Sequence, residues 1–343
     1  MLRQIPLSWT SLVLTLLVTF SAVYSITVGP MAISVSDSLK SLLLSSSDVA
    51  NHVQMVIHQI RFPRTVLCML VGAILALCGT VMQGLFRNPL AEPGIIGVSA
   101  GAMLGAAIAI VMLANLSSSP TWLNTLGLPL FAFVGGALTT ILVYRLGTSS
   151  PGTSVTMMLL AGVAISALSG AGVGYLNFVA DDQMLRDLSL WSMGSFAAAS
   201  WPNIALCAVT LLLLLSYASR HTLALNALLL GESEARHLGI EVERLKRNMI
   251  VLSALGVGVT VSAVGMIGFV GLVVPHLGRM LVGPDHRNLV PVSALLGALL
   301  LTIADMVSRQ IIAPTELPIG IVTALIGAPF FLYLLFQQKG KLS

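Results

Sequence analysis

Gly268-Phe-Val-Gly-Leu-Val-Val-Pro-His-Leu-Gly-Arg-Met-Leu-Val-Gly283 is apolar for most of its length, short for a helical crossing and interrupted at Pro275. About 20 residues, rising 1.5 Å each, span the hydrocarbon core of a bilayer. Longer apolar stretches flank it at 8–28, 65–86, 94–114, 123–145, 154–176, 201–219, 248–268, 289–309 and 317–336. Taken as a compact or broken eighth crossing, 268–283 brings the total to about ten and puts both termini on one face. Left uncrossed, it makes nine, and everything after it changes sides. With ten crossings the basic residues Arg87, Arg145, Arg279 and Arg287 and the 220–247 segment share one face. Asp37, Asp48, Asp181, Asp182, Asp187 and Glu316 fall on the other. The positive-inside bias favours this arrangement, with both termini cytoplasmic and Arg3, Lys339 and Lys341 inside.

Composition sets the class. Of 343 residues, 56% are hydrophobic and 9% charged, and the mean hydropathy is +0.96. Soluble domains carry about 25% charged residues, so an ordinary water-soluble enzyme is excluded and an all-α polytopic membrane protein is expected. The net charge of +4 comes from scattered basic groups without interleaved aromatics, which argues against nucleic acid. Cys68, Cys78 and Cys207 sit singly in apolar runs and read as small buried hydrophobes. The first apolar stretch lacks a convincing cleavage site and reads as a retained helix. Small residues recur at helical spacing: Gly72, Ala76 and Gly79; Gly97, Gly101 and Gly105; Gly170, Gly172 and Gly174; Gly256 and Gly258. Such seams let helices approach closely in lipid.

Between the spans, 29–64 contains Ser34, Ser36, Ser38, Ser41 and Ser45–Ser47 and reads as an external segment along the surface. The 177–200 loop carries Asp181, Asp182, Arg186 and Asp187, whose carboxylates suit an interface with basic groups. Trp191 and Trp201 read as headgroup-zone anchors. On the other face, Gly231-Glu-Ser-Glu-Ala-Arg-His-Leu-Gly239 reads as a short helix between glycines. Glu232 and Glu234 lie at its positive end, and Ala235, Leu238 and Ile240 supply apolar contacts. Glu243 and Arg247 lie one turn apart in the helix that follows. The segment is either a solvated amphipathic loop or a docking helix for a partner.

Inside the membrane, His276 has no spaced His, Cys or carboxylate partner; a structural hydrogen bond suits it better than a haem iron. Asp305 and Arg309, at i,i+4, are expected to pair, because a lone membrane carboxylate is costly. No G-x-x-x-x-G-K-[ST], H-E-x-x-H or G-x-S-x-G occurs, so no catalytic site is assigned to this chain. No carbonyl-rich filter points to a channel. An ion-coupled secondary transporter stays open as a different class, although it needs a midplane ion site and Asp305 is poorly placed for one.

Six stretches then fall in a common order. They are Arg61-Phe-Pro-Arg64, Gly79–Gly94 (with Arg87-Asn-Pro-Leu-Ala-Glu-Pro-Gly94), Trp191-Ser-Met-Gly-Ser195, Gly231–Gly239, Gly268–His276 and Glu316–Pro329. In these the chain resembles the FecCD/BtuC-type permeases of bacterial ABC importers, which carry iron chelates, haem or cobalamin. The resemblance implies a type II importer permease fold with ten helices, 1–343 forming one transmembrane domain in the bacterial inner membrane. It further implies a permease homodimer, two cytoplasmic ATPase subunits that bind ATP and Mg, and a periplasmic binding protein. On it, 231–239 becomes the ATPase-coupling segment through Gly231, Glu232, Glu234, Ala235, Arg236 and Gly239. The path runs between two copies along 154–176 and 317–336, with Met157, Met158, Ser166 and Ser169 as candidate lining. Asp181, Asp182 and Asp187 become candidate contacts for the binding protein. No cofactor or metal is expected on this chain itself. Haem is the expected cargo, with ferric siderophore and then cobalamin as alternatives.

Overall fold

The computed structural model describes residues 7–29, 31, 33–43, 50–113, 121–149 and 152–342. Arg3, Ser45–Ser47, Asp48 and the side chains of Lys339 and Lys341, all named above, lie outside what is described. Its helices are α1 (Leu7–Thr27), α2 (Val35–Leu43), α3 (Asn51–Met55), α4 (Phe62–Phe86), α5 (Val98–Leu113), α6 (Thr121–Gly147), α7 (Val155–Val179) and α8 (Asp182–Ser192). There follow α9 (Trp201–Arg220), α10 (Thr222–Leu230), α11 (Glu232–His237), α12 (Val242–Val264), α13 (Val270–Val282), α14 (His286–Gln310) and α15 (Ile319–Leu342). A two-stranded ribbon, β1 (Thr148–Ser149) with β2 (Gly152–Thr153), joins α6 to α7. Among the described residues, eight helices are long and apolar enough to cross a membrane, and Val98–Met112 and Val270–Val282 are shorter apolar ones. Together they form an all-α, multi-pass bundle, with one of these helices in each of the ten expected stretches.

The bundle is built around α4, which is surrounded by α9, α12, α13 and α14. Glycine seams set the spacing. A Cβ on Gly72 would strike the Gly297 carbonyl and one on Gly297 the Gly72 carbonyl, so α4 and α14 touch backbone to backbone. The same holds between α5 and α6 at Gly101 and Gly135. The run Gly170–Gly174 behaves differently: Gly170 and Gly174 have nothing within 4 Å of a Cβ position.

Two boundaries differ from the sequence reading. The external segment ends earlier than expected, because α3, a π-helical turn at Val56–Arg61 and α4 form one continuous rod from Asn51 to Phe86. At its π-turn Arg61 donates to the carbonyls of Ile26 (3.0 Å), Thr27 (2.8 Å) and Met31 (2.5 Å), capping the last turn of α1. Nor does Pro275 interrupt the eighth crossing, for α13 runs through it; the irregular stretch lies before the helix, ending at Phe269 with φ 68°. Proline at 275 removes the donor to the carbonyl four residues back, that of Gly271. Gln83 Nε2 replaces it, donating to the Gly271 carbonyl at 3.2 Å.

Asp305 does pair with Arg309, at 3.0 Å, as its spacing predicts. It also receives Arg64 at 2.8 Å, and Arg64 reaches Glu316 at 2.8 Å. Arg309 continues to the carbonyls of Ser25 (3.2 Å) and Val28 (2.7 Å) and to Ser25 Oγ (2.7 Å). Two guanidiniums and two carboxylates thus tie α1, α4, α14 and the 311–318 turn at the end of the bundle away from α11. Removing one member of such a buried group leaves an uncompensated charge, which costs about 3–5 kcal/mol. Asp305→Asn is expected to lower the thermal midpoint in detergent and to open the buried Cys68 to maleimide at lower temperature. Wild-type labelling kinetics in that variant would remove the cluster's structural role.

Candidate functional site

The 231–239 segment folds as its spacing suggests. Gly231 (φ 131°) and Gly239 (φ 82°) adopt backbone angles that side chains resist, and α11 lies between them. At its C-terminus the Gly239 N–H donates to the Arg236 carbonyl (2.9 Å) and the Ile240 N–H to the Ala235 carbonyl (3.1 Å), closing the helix. Ala235 is fully buried within this chain's own core. Leu238, by contrast, is 66% exposed, and Leu230 on α10 is exposed too.

The carboxylates of this segment point to an unforeseen partner. Lys246 on α12 is only 2% exposed, and a buried ammonium must be paired. Its Nζ lies 2.5 Å from Glu232 and 3.8 Å from Glu243 and donates to the Thr153 carbonyl at 3.1 Å. Glu243 in turn accepts the Thr153 N–H at 2.9 Å and meets Arg236 at 3.2 Å. Arg236 also lies 3.7 Å from Glu232. Glu243 is therefore engaged by Lys246, Arg236 and the ribbon, and the i,i+4 pairing with Arg247 does not form. Gly152 (φ 127°) is required here, since a Cβ would come within 2.6 Å of Glu243 Oε1. The network joins α11, α12 and the ribbon that leads directly into α7. Lys246 was passed over in the sequence because a lysine between Leu245 and Arg247 looks like part of a solvated basic run.

A second link ties α10 to α14. Asn226 donates to Asp285 Oδ1 at 2.6 Å and accepts the His286 N–H at 2.9 Å. The Arg287 N–H, at 2.9 Å, and the Asn226 amide hold the Asp285 carboxyl below its ordinary range.

Of the long helices, α7 is the least buried. Met157 is 52% exposed and faces outward, whereas Met158 is fully buried against Gly147 and does not reach the surface of this chain. Ser169 is also buried. Ser166 lines a cavity of about 540 Å³ with Gly170, Glu92, Ser99, Met103 and Met266. On α15, Leu325, Ile326, Leu332 and Tyr333 are exposed. His276 makes no described hydrogen bond; its ring meets Phe330 edge-on at 5.6 Å, which replaces the expected structural hydrogen bond.

Asp181 caps α8, accepting the Met184 N–H at 2.8 Å, and Asp187 accepts from Gln183 at 2.9 Å. With Asp182 they lie exposed, while Met184 and Leu188 bury the opposite side of the helix. Trp191 is half-buried against the core, and Trp201 is exposed, 6.0 Å from the Phe62 ring. Among the described residues no group of three or more His, Cys, Asp or Glu could hold a metal ion.

Four of the stretches singled out above are joined in pairs, Gly79–Gly94 to Gly268–His276 and Trp191–Ser195 to Glu316–Pro329. The Ser195 N–H donates to the Val264 carbonyl (2.8 Å), and the Gly320 N–H to the Met193 carbonyl (2.8 Å). The Phe269 N–H donates to Glu92 at 3.3 Å, and Arg279 donates to Gln83 at 2.5 Å. The described chain is a multi-pass helical bundle with a surface helix tied to α12 by ion pairs. The FecCD transport family matches residues 16–337. The hemin transport system permease HmuU of Yersinia pestis is 43% identical over 299 residues, 87% of each chain. The cobalamin import permease BtuC of Halobacterium salinarum is 43% identical over 295 residues, 85% of this chain and 76% of that one. A solved inward-facing structure of a metal-chelate-type ABC transporter superposes with a TM-score of 0.81 at 36% identity, over 96% of this chain and 99% of that one. The chain belongs to the FecCD transport family and is a membrane permease subunit of an ABC importer.

Removing Lys246 takes the buried cation from two carboxylates and a donor from the Thr153 carbonyl. Lys246→Met is expected to destabilise the protein, and a double-mutant cycle with Glu232→Leu should return a coupling of about 0.5–3 kcal/mol. Additive losses in thermal or denaturant unfolding would show that the two side chains do not interact.

Proposed function

We propose that this permease works as a twofold pair, passing a metal chelate along α7 and α15 of the two copies from periplasm to cytoplasm. The observation that carries the reading is the open side of α7. The glycine seams of α4 and α5 are filled by neighbouring backbone, while Gly170 and Gly174 meet nothing within 4 Å and Val163, Leu168, Tyr175 and Phe178 stand exposed. Neither α7 nor the membrane part of α15 carries a charged, histidine or cysteine side chain, which suits an intact chelate better than a bare cation. Asp305 is held by two arginines and is not available to a coupling ion, against the secondary-transporter reading. Haem is not preferred as cargo. Relatives at equal identity carry hemin and cobalamin in their names, and a ferric siderophore or cobalamin fits the same uncharged surface.

In this reading 231–239 is the coupling segment, on the cytoplasmic face with both termini. Ala235 is buried inside the permease, so the surface offered to an ATPase is the outer side of α11 around Leu238 and Glu234. A push on α11 would reach α7 through Glu232, Lys246, Thr153 and the ribbon. Leu238→Asp is expected to leave insertion and basal ATP hydrolysis in place while cutting uptake about tenfold in reconstituted vesicles holding the whole transporter. Normal uptake would remove 231–239 from the junction.

Asp181, Asp182 and Asp187 are proposed to receive the binding protein, mainly by steering its approach. Reversing all three should slow delivery, with a salt dependence weaker than wild type, and leave basal ATPase unchanged. Binding-protein association at wild-type rate would assign a different outer surface. For the pairing itself, Ala171→Cys in a background without Cys68, Cys78 and Cys207 should cross-link two copies across the α7 faces. Failure of that cross-link in an assembled, active transporter would overturn the proposed path.

A further inference from the structure

On the side of the bundle where α6 meets α12, an apolar groove of about 340 Å³ runs between the two helices. Phe133, Ala137 and Ile141 form one wall and Val251, Ala254 and Leu255 the other. Its deep end is set by Gly258, where a Cβ would already lie 3.3 Å from the Phe133 ring. Its mouth is Tyr144 and Arg145. From Phe133 to Arg145 is twelve residues of helix, about 18 Å at 1.5 Å per residue. Half of a hydrocarbon core is about 15 Å, so the groove has the length of one acyl chain in one leaflet.

Tyr144 also lines a second space, a polar cleft of about 510 Å³ between the β1–β2 ribbon and the first turns of α12. Thr148, Ser149, Arg244 and Arg247 line it. Glu243 is there too, but its charge is met by Lys246 and Arg236 and by the Thr153 N–H. Arg244 is occupied by Glu241 at 3.2 Å. Arg145 and Arg247 are exposed, and neither meets a carboxylate among the described residues. An acyl-length groove that opens beside two uncompensated guanidiniums, with a tyrosine at the boundary, has the chemistry of a phospholipid site. Positive groups at the membrane surface favour anionic headgroups, and arginine matches a phosphate with paired donors.

We propose that the α6–α12 groove binds an anionic phospholipid, its acyl chain between the two helices and its phosphate between Arg145 and Arg247. The site lies on the same face as α11, so a bound headgroup would border the ribbon that carries Thr153. The assignment to the cytoplasmic leaflet rests on the coupling reading above; the binding itself does not.

The test uses the full permease alone, stripped of lipid in detergent and titrated with phosphatidylglycerol or phosphatidylethanolamine of identical acyl chains, read by native mass spectrometry. Phosphatidylglycerol is expected to bind about tenfold more tightly. Arg145→Gln and Arg247→Gln should each weaken it about fivefold, as expected for one surface cation apiece, and leave phosphatidylethanolamine unchanged. Ala254→Phe, which fills the groove from its lipid-facing wall, should abolish the tight binding with both arginines intact. Inorganic phosphate should not displace the lipid. Equal binding of the two lipids by the wild-type chain would overturn the proposal, as would a preference that survives loss of both arginines. So would full binding in Ala254→Phe, and displacement by phosphate would reduce the site to an anion-binding cleft. Because neither ATPase nor cargo is present, failure here leaves the transport reading standing, and failure of the coupling reading changes only the leaflet.

Discussion

Arg64 sits inside the bundle with its guanidinium between Asp305 and Glu316, and much of the surrounding architecture is organised by the need to keep that charge satisfied. Taking an ion out of water costs several kcal/mol unless partners are close and well oriented. Three elements supply them: α14 brings Asp305 and Arg309, the 311–318 turn brings Glu316, and α1 brings its last carbonyls to Arg309. One turn earlier on the same rod, Arg61 holds other carbonyls of the same helix end. The result is a fixed end to the bundle. Displacing any one helix there would expose a charge to lipid or leave a carbonyl without a donor.

The other half of the design is irregular backbone kept away from lipid. Non-helical segments are tolerated at membrane depth only where protein or a water-filled cavity surrounds them. The 265–269 stretch before α13 meets the 87–97 turn at Glu92 and the 191–195 turn at Gly194, and the latter meets the start of α15. Gln83 serves the carbonyl freed by Pro275, Glu92 serves the Phe269 N–H, and Met193 receives the first turn of α15. Backbone contacts of this kind bring separate stretches of sequence to one place beside the cavity at Ser166 and Gly170.

At the opposite end the charges are partly exposed and serve a different purpose. Lys246 is the hinge point of a small polar network that connects a surface helix, a membrane helix and a two-stranded ribbon. The ribbon enters α7 without an intervening loop, Ser154 capping the helix by accepting the Met157 N–H. The network therefore joins α11 directly to α7, the least buried of the long helices.

Much of this was legible in the residues themselves. Hydrophobic run length marks the long apolar helices because hydrocarbon thickness imposes it, and the short 268–283 run also folds as an apolar helix, Val270–Val282. The i,i+4 spacing of Asp305 and Arg309 predicts their pairing, and Gly231 and Gly239 mark the ends of α11, since such effects act within a few residues. What depended on separate helices meeting was not legible. No pattern in the chain says that Arg64 reaches Asp305, that Lys246 reaches Glu232 and Thr153, or that Gln83 repairs the break at Pro275. Nor does it distinguish Met157 from Met158, neighbours of which one faces out and the other packs on Gly147, because helix rotation is set by packing partners. Local chemistry and the thickness of a membrane determine the elements; which buried charge meets which is decided only when the helices are assembled, because only then do desolvated groups have to find one another.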